Sequence, residues 1–585
     1  MTALPPLRVA GCDLGKATVR LVVADVRDGR VHVDRAEIRP HGGRPLDALA
    51  ELYDALAVRH CAAFGATGLY ADELCPPALH SLPEDACLDA ALGVVDVDRG
   101  PLHIVRVGAR GYSALVRDAE GRVRHFSSDK CSSGTGETMV KIAGRFGLSI
   151  EEADALAVRA AEAIPITARC SVFAKSEMTH FGNQGRPADA LFRGYFESIG
   201  RYAFALVARA RVDGPVYAIG GGARLRSLVA ALSEAAGTDV IVPPWAQTAE
   251  ALGACALAAE HAVARGAVTL PDDVRALWRT KPRRFRALGA PRSYADRVRR
   301  LEAPRVPDGA VREPAVLGLD LGSTGSKAVL TSLATGEVVF DAYDRTRGNP
   351  VDAARRLIAQ VARQQADVRA IGLTGSGREA VATVARAAFA DAGDRIVVEN
   401  EIVAHATAAI RCDPDRGESL SVVEIGGQDA KFIQIAGGQI VESDMNKACS
   451  AGTGSFLEEQ AAFYGVHDIH EFTRRAMNAD RPPDLGQMCT VFVAEAAGEA
   501  QAEGYGVDDL FGGFQYSVIY NYLNRVMGQR TFGRRVFFQG KPASGPSLAW
   551  TLAAVTGREV WVPPNPGAMG AWGIGLVALR ELGVD

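Results

Sequence analysis

The chain has 585 residues, 48% of them hydrophobic and 23% charged, with a formal net charge of −4 at pH 7. A chain of that size buries large cores in three or four domains, and its charge balance argues against nucleic acid or an anionic membrane as a partner. No basic-plus-apolar leader precedes the strand-length run in LRVAGCDLG, and no uninterrupted apolar stretch reaches about 18 residues, so a cytoplasmic protein without membrane contact is expected.

In chain order, an apolar strand runs into Asp13-Leu14-Gly15, turns through small residues and returns as a second strand (VAGCDLGKATVRLVVAD, 9–25). FGATGLY (64–70), VRVGARGYSALV (105–116), CSSGTGETM (131–139), RCSVFAKSE (169–177), YAIGGGARL (from 217) and EALGACALA (250–258) follow. Beyond a basic stretch, the same series returns: VLGLDLGSTGSKAVLTS (316–332), IGLTGSG (371–377), VEIGGQDAKFIQ (423–434), CSAGTGSFL (449–457), MCTVFVAEA (488–496), FFQGKPASG (from 537) and GAMGAWGIG (567–575). Val9 matches Val316 and Phe64 matches Ile371 at one constant offset, whereas Val105 matches Val423 and Cys131 matches Cys449 at a larger one. The difference places an insertion of about 11 residues between Gly375 and Gly426. Six matched motifs in one order, followed by a shared Ala-x-Gly-Ala close, identify an internal repeat. Expected units are residues 1–265 and 315–585, joined by a basic, partly helical surface linker at 266–314.

Each copy carries two strand–turn–strand hairpins whose glycines let the backbone approach a phosphate and whose hydroxyls add donors. A third Gly-rich turn precedes a long helix. Neither Gly-Lys pair, 15–16 or 540–541, is followed by Ser or Thr, so this is not a Walker A loop. Two hairpin clamps with a distant Gly-rich loop predict an α/β protein: two tandem ATPase units of the actin, heat-shock and sugar-kinase (ASKHA, ribonuclease H-like) type, forming an intrachain pseudo-dimer. In the second copy the candidate phosphate residues are Asp320, Gly322, Ser323, Thr324, Lys327, Gly375, Glu424, Gly426, Gly427, Gln428 and Asp429. Asp320 and Glu424 suit Mg²⁺, Gln428 or Asp429 the attacking water, and Gly540 and Lys541 the adenosine. The first copy keeps Asp13, Gly15 and the loop Gly220, Gly221 and Gly222, but has Lys16 and Ala17 for Ser323 and Thr324, and Arg106, Arg110 and Gly111 for Glu424, Gln428 and Asp429. It is expected to hydrolyse ATP poorly or not at all.

Of ten cysteines, Cys12, Cys61, Cys75, Cys87, Cys255 and Cys412 read as small apolar residues. Cys131 and Cys170 are separated almost as Cys449 and Cys489 are, with a single extra residue in the second interval, and the pairs stand at matched places in the two copies. A pseudo-two-fold pairing of the copies brings the four thiols together, a set that suits zinc or an iron–sulfur cluster. Helix starts just after Cys131 and Cys449 offer N–H groups to such an anionic centre. His405 reads equally as a cleft residue or a structural histidine, residues 514–528 as a core helix, and Glu177 and Glu495 as neighbours of the thiols or surface charge.

GLDLGSTGSK, EIGGQDAK, NKACSAGTGSFLE and CTVFVAEA resemble the ATPase family of 2-hydroxyacyl-CoA dehydratase activators and benzoyl-CoA reductase ATPase subunits, and the resemblance covers both copies. It implies ATP-dependent transfer of one low-potential electron, through a [4Fe-4S] cluster held by Cys131, Cys170, Cys449 and Cys489, to a partner iron–sulfur dehydratase or reductase. Ferredoxin or flavodoxin is the implied donor and Mg²⁺-ATP the fuel. Because both halves lie on one chain, a monomeric pseudo-dimer spending one ATP per electron is expected. Competing readings are a small-molecule kinase of the same fold and a non-redox ATPase with structural zinc.

Overall fold

The computed structural model describes residues 7–27, 30–95, 100–109, 111–128, 135–167, 170–210, 212–279, 282, 284–302, 311, 313–388, 395–446 and 452–583. The first half builds two five-stranded sheets. In one, Leu7–Leu14 is antiparallel to Thr18–Arg27 and parallel to Ala63–Thr67. In the other, Leu102–Val107 is antiparallel to Tyr112–Arg117 and parallel to Val216–Ile219. The second half repeats this pattern with Pro314–Leu321 between Gly325–Ser332 and Asp367–Thr374, and with Ser419–Ile425 between Ala430–Ala436 and Arg535–Gln539. These central strands are near-continuous apolar runs because both faces of each sheet are covered.

Between the two sheets of each half lie two helices, Glu84–Val94 with Ala249–Arg265 and Glu401–Cys412 with Met569–Glu581. Small residues let them cross at backbone distance. A Cβ on Gly573 would stand 1.8 Å from the Ala404 carbonyl oxygen, and one on Gly318 1.9 Å from that of Ala571. Gly573→Ala is therefore expected to destabilise the second half by about 3 kcal/mol or more, read as a lowered unfolding midpoint.

The inserted segment of the second half is largely a helix, Arg378–Ala388, where the first half has the short turn Ala71–Glu73. The connector at 266–314, expected as a partly helical surface linker, contains two 3-10 turns, Val274–Leu277 and Pro291–Arg297, and adds a strand that was not expected. Val298–Arg300 forms a strand parallel to Val560–Val562, extending the second half's sheet to six strands. Upstream, the backbone N–H groups of Arg284 and Phe285 donate to the Glu503 carboxylate at 2.6 and 3.1 Å. So short a strand cannot show a period of two in sequence.

The halves meet through reciprocal contacts. A Cβ on Gly43 would strike the Tyr464 ring, and one on Gly348 would strike the Phe146 ring, at 2.5 and 2.6 Å. Phe146 and Tyr464 occupy matched positions of the two copies, at the same offset as Cys131 and Cys449. Gly43 and Gly348 stand in matched loops just before the Pro45–Ala55 and Pro350–Ala362 helices. Contact of i with j′ and of i′ with j is the signature of a two-fold arrangement. Among the described residues no helix is long and apolar enough to cross a membrane.

Candidate functional site

The two hairpin turns of the second half face each other across a cleft of about 1130 Å³, open mouth included. Asp320, Gly322, Ser323, Thr324 and Lys327 line one wall, and Glu424, Gly426, Gly427 and Asp429 the other. The turns nearly touch: a Cβ on Gly427 would lie 2.4 Å from Thr324 Oγ1. Gly540, in the left-handed region at φ 97°, and Lys541 close a third side, with Lys541 Nζ 4.8 Å above the Tyr343 ring centroid. Deeper in, Leu457, Ile469, Phe472 and Leu548 make an apolar wall.

Gly375 lies behind Asp320 rather than on the cleft surface. Its φ is 88°, and a Cβ there would sit 2.7 Å from Asp320 Oδ1. It lets the third strand's turn close over the Asp320 carboxylate, and Gly68 does the same for Asp13 in the first half. Gln428 lies on the same turn between the cleft-lining Gly427 and Asp429, and its Nε2 donates to Thr179 Oγ1 of the first half at 3.1 Å.

The carboxylates are buried and counter-charged by lysines. Lys327 Nζ donates to Asp320 Oδ2 at 2.9 Å. Burial would raise the Asp320 carboxyl, but Lys327 and then His405 hold it below the ordinary carboxylate range. Lys431 Nζ, 2% exposed, reaches Glu424 Oε2 at 2.9 Å, Asp429 Oδ2 at 3.1 Å and Glu401 Oε2 at 3.5 Å. Burial works against its charge, yet Asp429, Glu424 and Glu401 lift it well above the usual lysine value. Burial pushes Glu401 up to about 7, with Lys431 opposing and the neighbouring carboxylates adding. His405 is buried, with Nδ1 2.9 Å from Gln539 Oε1, and it also lines the cleft, so it fills both expected roles.

Lys431 and Glu401 were not singled out from the sequence. Lys431 closes the EIGGQDAK motif and shares a strand face with Asp429 two residues earlier, a signal that was available.

The matching cleft of the first half is lined by a different set of charges. Arg20 takes the place of Lys327 and binds Asp13, while Arg106 takes the place of Glu424 and binds Glu250 and Glu84. Burial pushes Asp13 up to about 6 against the pull of Arg20. Lys16 pairs with Glu137 at 2.7 Å. Gly15 and Gly220 line this cleft beside Lys16. Gly220, with φ 82°, packs against the Val107 carbonyl, and Gly221 and Gly222 continue into a 3-10 turn. Arg110 lies outside the described residues.

Cys170 and Cys489 each stand at the N-cap of a helix, Ser171–Asn183 and Thr490–Ala502. Neither side chain makes the capping hydrogen bond of its own helix among the described residues. Both thiols are half-buried at the positive end of a helix. Cys131 and Cys449 lie outside the described residues, and among the residues that are described no group of three or more His, Cys, Asp and Glu is placed to hold a metal ion.

The helix starts after the other two cysteines differ from expectation. The N–H groups of Gly454 and Ser455 donate to the carbonyls of Gly426 and Gly427, both at 2.8 Å, and that of Gly136 donates to Gly108 at 2.8 Å. These donors are spent on the second phosphate turn and are not available to an anionic centre. Of the other residues read from sequence, Glu177 accepts from the Thr167 N–H at 2.7 Å and Glu495 is exposed. Residues 514–522 are the second part of a buried helix that passes into a π-turn at Leu523–Met527.

The second half extends a charged knot into the first. Glu459 accepts from Lys175 and Arg145, both at 2.8 Å, with Lys141 at 3.9 Å. The three cations belong to the first half's Gly136–Arg145 and Ser171–Asn183 helices. Burial would raise the Glu459 carboxyl, but Lys175, Arg145 and Lys141 hold it far below the ordinary range. For Lys175, burial outweighs Glu459 and lowers the ammonium.

Comparison with known proteins gives a consistent picture. The BadF/BadG/BcrA/BcrD ATPase family matches twice, at residues 85–258 and 317–578. The 2-hydroxyisocaproyl-CoA dehydratase activator of Clostridioides difficile is 28% identical over 273 residues, covering 45% of this chain and 95% of that protein. The (R)-2-hydroxyglutaryl-CoA dehydratase activating ATPase of Acidaminococcus fermentans is 26% identical over 272 residues, 45% of this chain and 97% of its own length. The crystal structure of component A of the A. fermentans dehydratase aligns with 46% of this chain and 100% of its own, at 24% identity and a TM-score of 0.41. Each relative is thus about one half of this chain.

Proposed function

Because the chain belongs to the BadF/BadG/BcrA/BcrD ATPase family, we propose that it spends ATP in its second half to pass single low-potential electrons to an iron–sulfur dehydratase or benzoyl-CoA-reductase-like enzyme. The observation that carries this reading is the joint between phosphate turn and cysteine segment. Gly454 and Ser455, which follow Cys449, hang from the Gly426 and Gly427 carbonyls. A nucleotide that shifts this turn pulls directly on the segment bearing the thiol.

In this reading Asp320 and Glu424 hold Mg²⁺, directly or through water, freeing Lys327 and Lys431 to meet phosphate oxygens. Ser323, Thr324 and the backbone of Gly322, Gly426 and Gly427 cradle the phosphates. Gln428 or Asp429 orients the attacking water. Gly540 and Lys541 bound the adenosine against the apolar wall of Leu457 and Leu548. The first half hydrolyses ATP poorly or not at all, since Arg20 and Arg106 occupy its charge positions.

Cys131, Cys170, Cys449 and Cys489 form the donor set for one [4Fe-4S] cluster per chain, and thiols at two helix starts fit an anionic centre. When bound, that cluster supplies one-electron chemistry at low potential. Ferredoxin or flavodoxin supplies the electron, the working form is a monomer holding both halves, and the setting is the reducing cytoplasm.

The test is anaerobic purification, with iron and sulfide assayed per chain and EPR after dithionite reduction. About four iron and four sulfide per chain, lost on changing any one of the four cysteines to Ala, is the expected result. A colourless, iron-free protein from strictly anaerobic preparation overturns the redox reading. Zinc in its place supports the structural alternative.

A further inference from the structure

The helix that begins at Cys170 does not end in its own half. Thr179 and Asn183, in its last two turns, lie on the phosphate site of the second half. Thr179 Oγ1 accepts from Gln428 Nε2 at 3.1 Å, and Asn183 Nδ2 donates to Ser376 Oγ at 3.2 Å. Thr179 is 4% exposed and Asn183 7%. Asn183 Oδ1 is buried with no hydrogen-bond partner among the described residues.

The hydroxyl of Thr179 donates to the Lys175 carbonyl at 2.9 Å. Its one proton is thereby spent, and toward Gln428 it can only accept. That fixes which end of the Gln428 amide faces it: the NH₂ turns to Thr179 and the carbonyl Oε1 turns the other way. An amide held so leaves its carbonyl as the end that can accept from a water, the property required of a group that orients a nucleophile in phosphoryl transfer.

The two halves have diverged in complementary directions around this contact. At the positions that match through Cys170 and Cys489, Thr179 becomes Gly498 and Asn183 becomes Ala502. The half that lacks counterparts of Glu424 and Asp429 carries the two polar residues that reach its partner. The half that keeps its carboxylates has lost them.

We propose that the first half completes the hydrolytic site of the second: Thr179 is a positioning residue that acts through Gln428, and Asn183 buttresses the turn at Ser376. This rests on the reading of Gln428 as the group that orients the attacking water. The degenerate half is then a built-in activator of its neighbour.

The test is steady-state ATP hydrolysis by the full chain carrying Thr179→Val, Thr179→Ser, Gln428→Ala or the Val/Ala pair. Thr179→Val is expected to lower kcat about tenfold with KM for ATP unchanged, Thr179→Ser to restore it, and the pair to be no slower than Gln428→Ala alone, because the two act as one unit. Thr179→Ala, which adds no bulk, carries the test if valine disturbs folding. Wild-type kcat in the Thr179 variants, or losses that multiply in the pair, overturns the proposal while leaving Gln428 in place. Unchanged hydrolysis by Gln428→Ala removes the underlying role of Gln428 and the proposal with it.

Discussion

Asp320→Asn is expected to cut ATP hydrolysis by a hundredfold or more, whereas Asp13→Asn leaves the rate within about twofold. The two aspartates end matched strands, and both are almost fully buried. Their surroundings differ in what can be displaced. Asp320 is countered by one lysine whose Nζ can swing to a phosphate, beside a second carboxylate, Glu424, countered in the same way. Asp320 and Glu424 would hold a divalent cation there, leaving Lys327 and Lys431 free to meet a nucleotide. Asp13 faces Arg20, and where Glu424 stands in the second half there is Arg106, itself held by Glu84 and Glu250. A cation entering that site meets fixed guanidinium charge. Hydrolysis assayed with far-ultraviolet circular dichroism as a folding control decides the matter, and equal losses from the two variants would refute the assignment.

Glu459→Gln is expected to cost about 3–5 kcal/mol, the usual penalty for breaking a buried ion pair from one side. It strands Lys175 and Arg145 in an interface without a counter-charge. The loss should appear as a lower urea midpoint and as separate unfolding of the halves, because the knot ties one to the other. Its pH dependence follows from the depressed Glu459 carboxyl. A carboxyl held below its unfolded value stabilises fully above that value, about 4.3 for a free glutamate, and loses the contribution as pH falls through its folded value. Wild-type protein should therefore keep its advantage over Glu459→Gln across neutral pH and surrender it only in strong acid. A constant difference down to the most acid conditions would show that packing, not charge, carries the effect.

Much of this molecule could be read from its sequence because it is written twice. The central strands, the hairpin turns and the Gly-rich loops were placed by matching the copies, and the inserted residues located the extra helix after Gly375. What escaped was whatever depends on where one half's residues land on the other. Of the three carboxylates around Lys431, only Asp429 is its neighbour in sequence, while Glu424 and Glu401 come from other elements of the fold. Glu459 sits on a helix among polar neighbours and reads as solvated until Lys175, from the far half of the chain, is brought against it. The helix start at Gly454 promised free N–H groups, but a turn's carbonyls claim them, a tertiary fact with no sequence signature. Gln428 was placed near the nucleotide by its motif, while its partner Thr179 belongs to the other copy.

The Lys141–Glu459 contact carries one more consequence. These two are counterparts in the repeat, at the same offset as Cys131 and Cys449. Residues that meet their own counterpart lie beside the two-fold axis, where a symmetric pair of identical chains must place like against like. Two copies of the second half alone would set carboxylate against carboxylate there, and two copies of the first half would crowd six cations together. The fusion has thus become a one-way commitment. Once a self-facing position carries opposite signs in the two halves, neither half can pair with a copy of itself, and each needs the other as its partner.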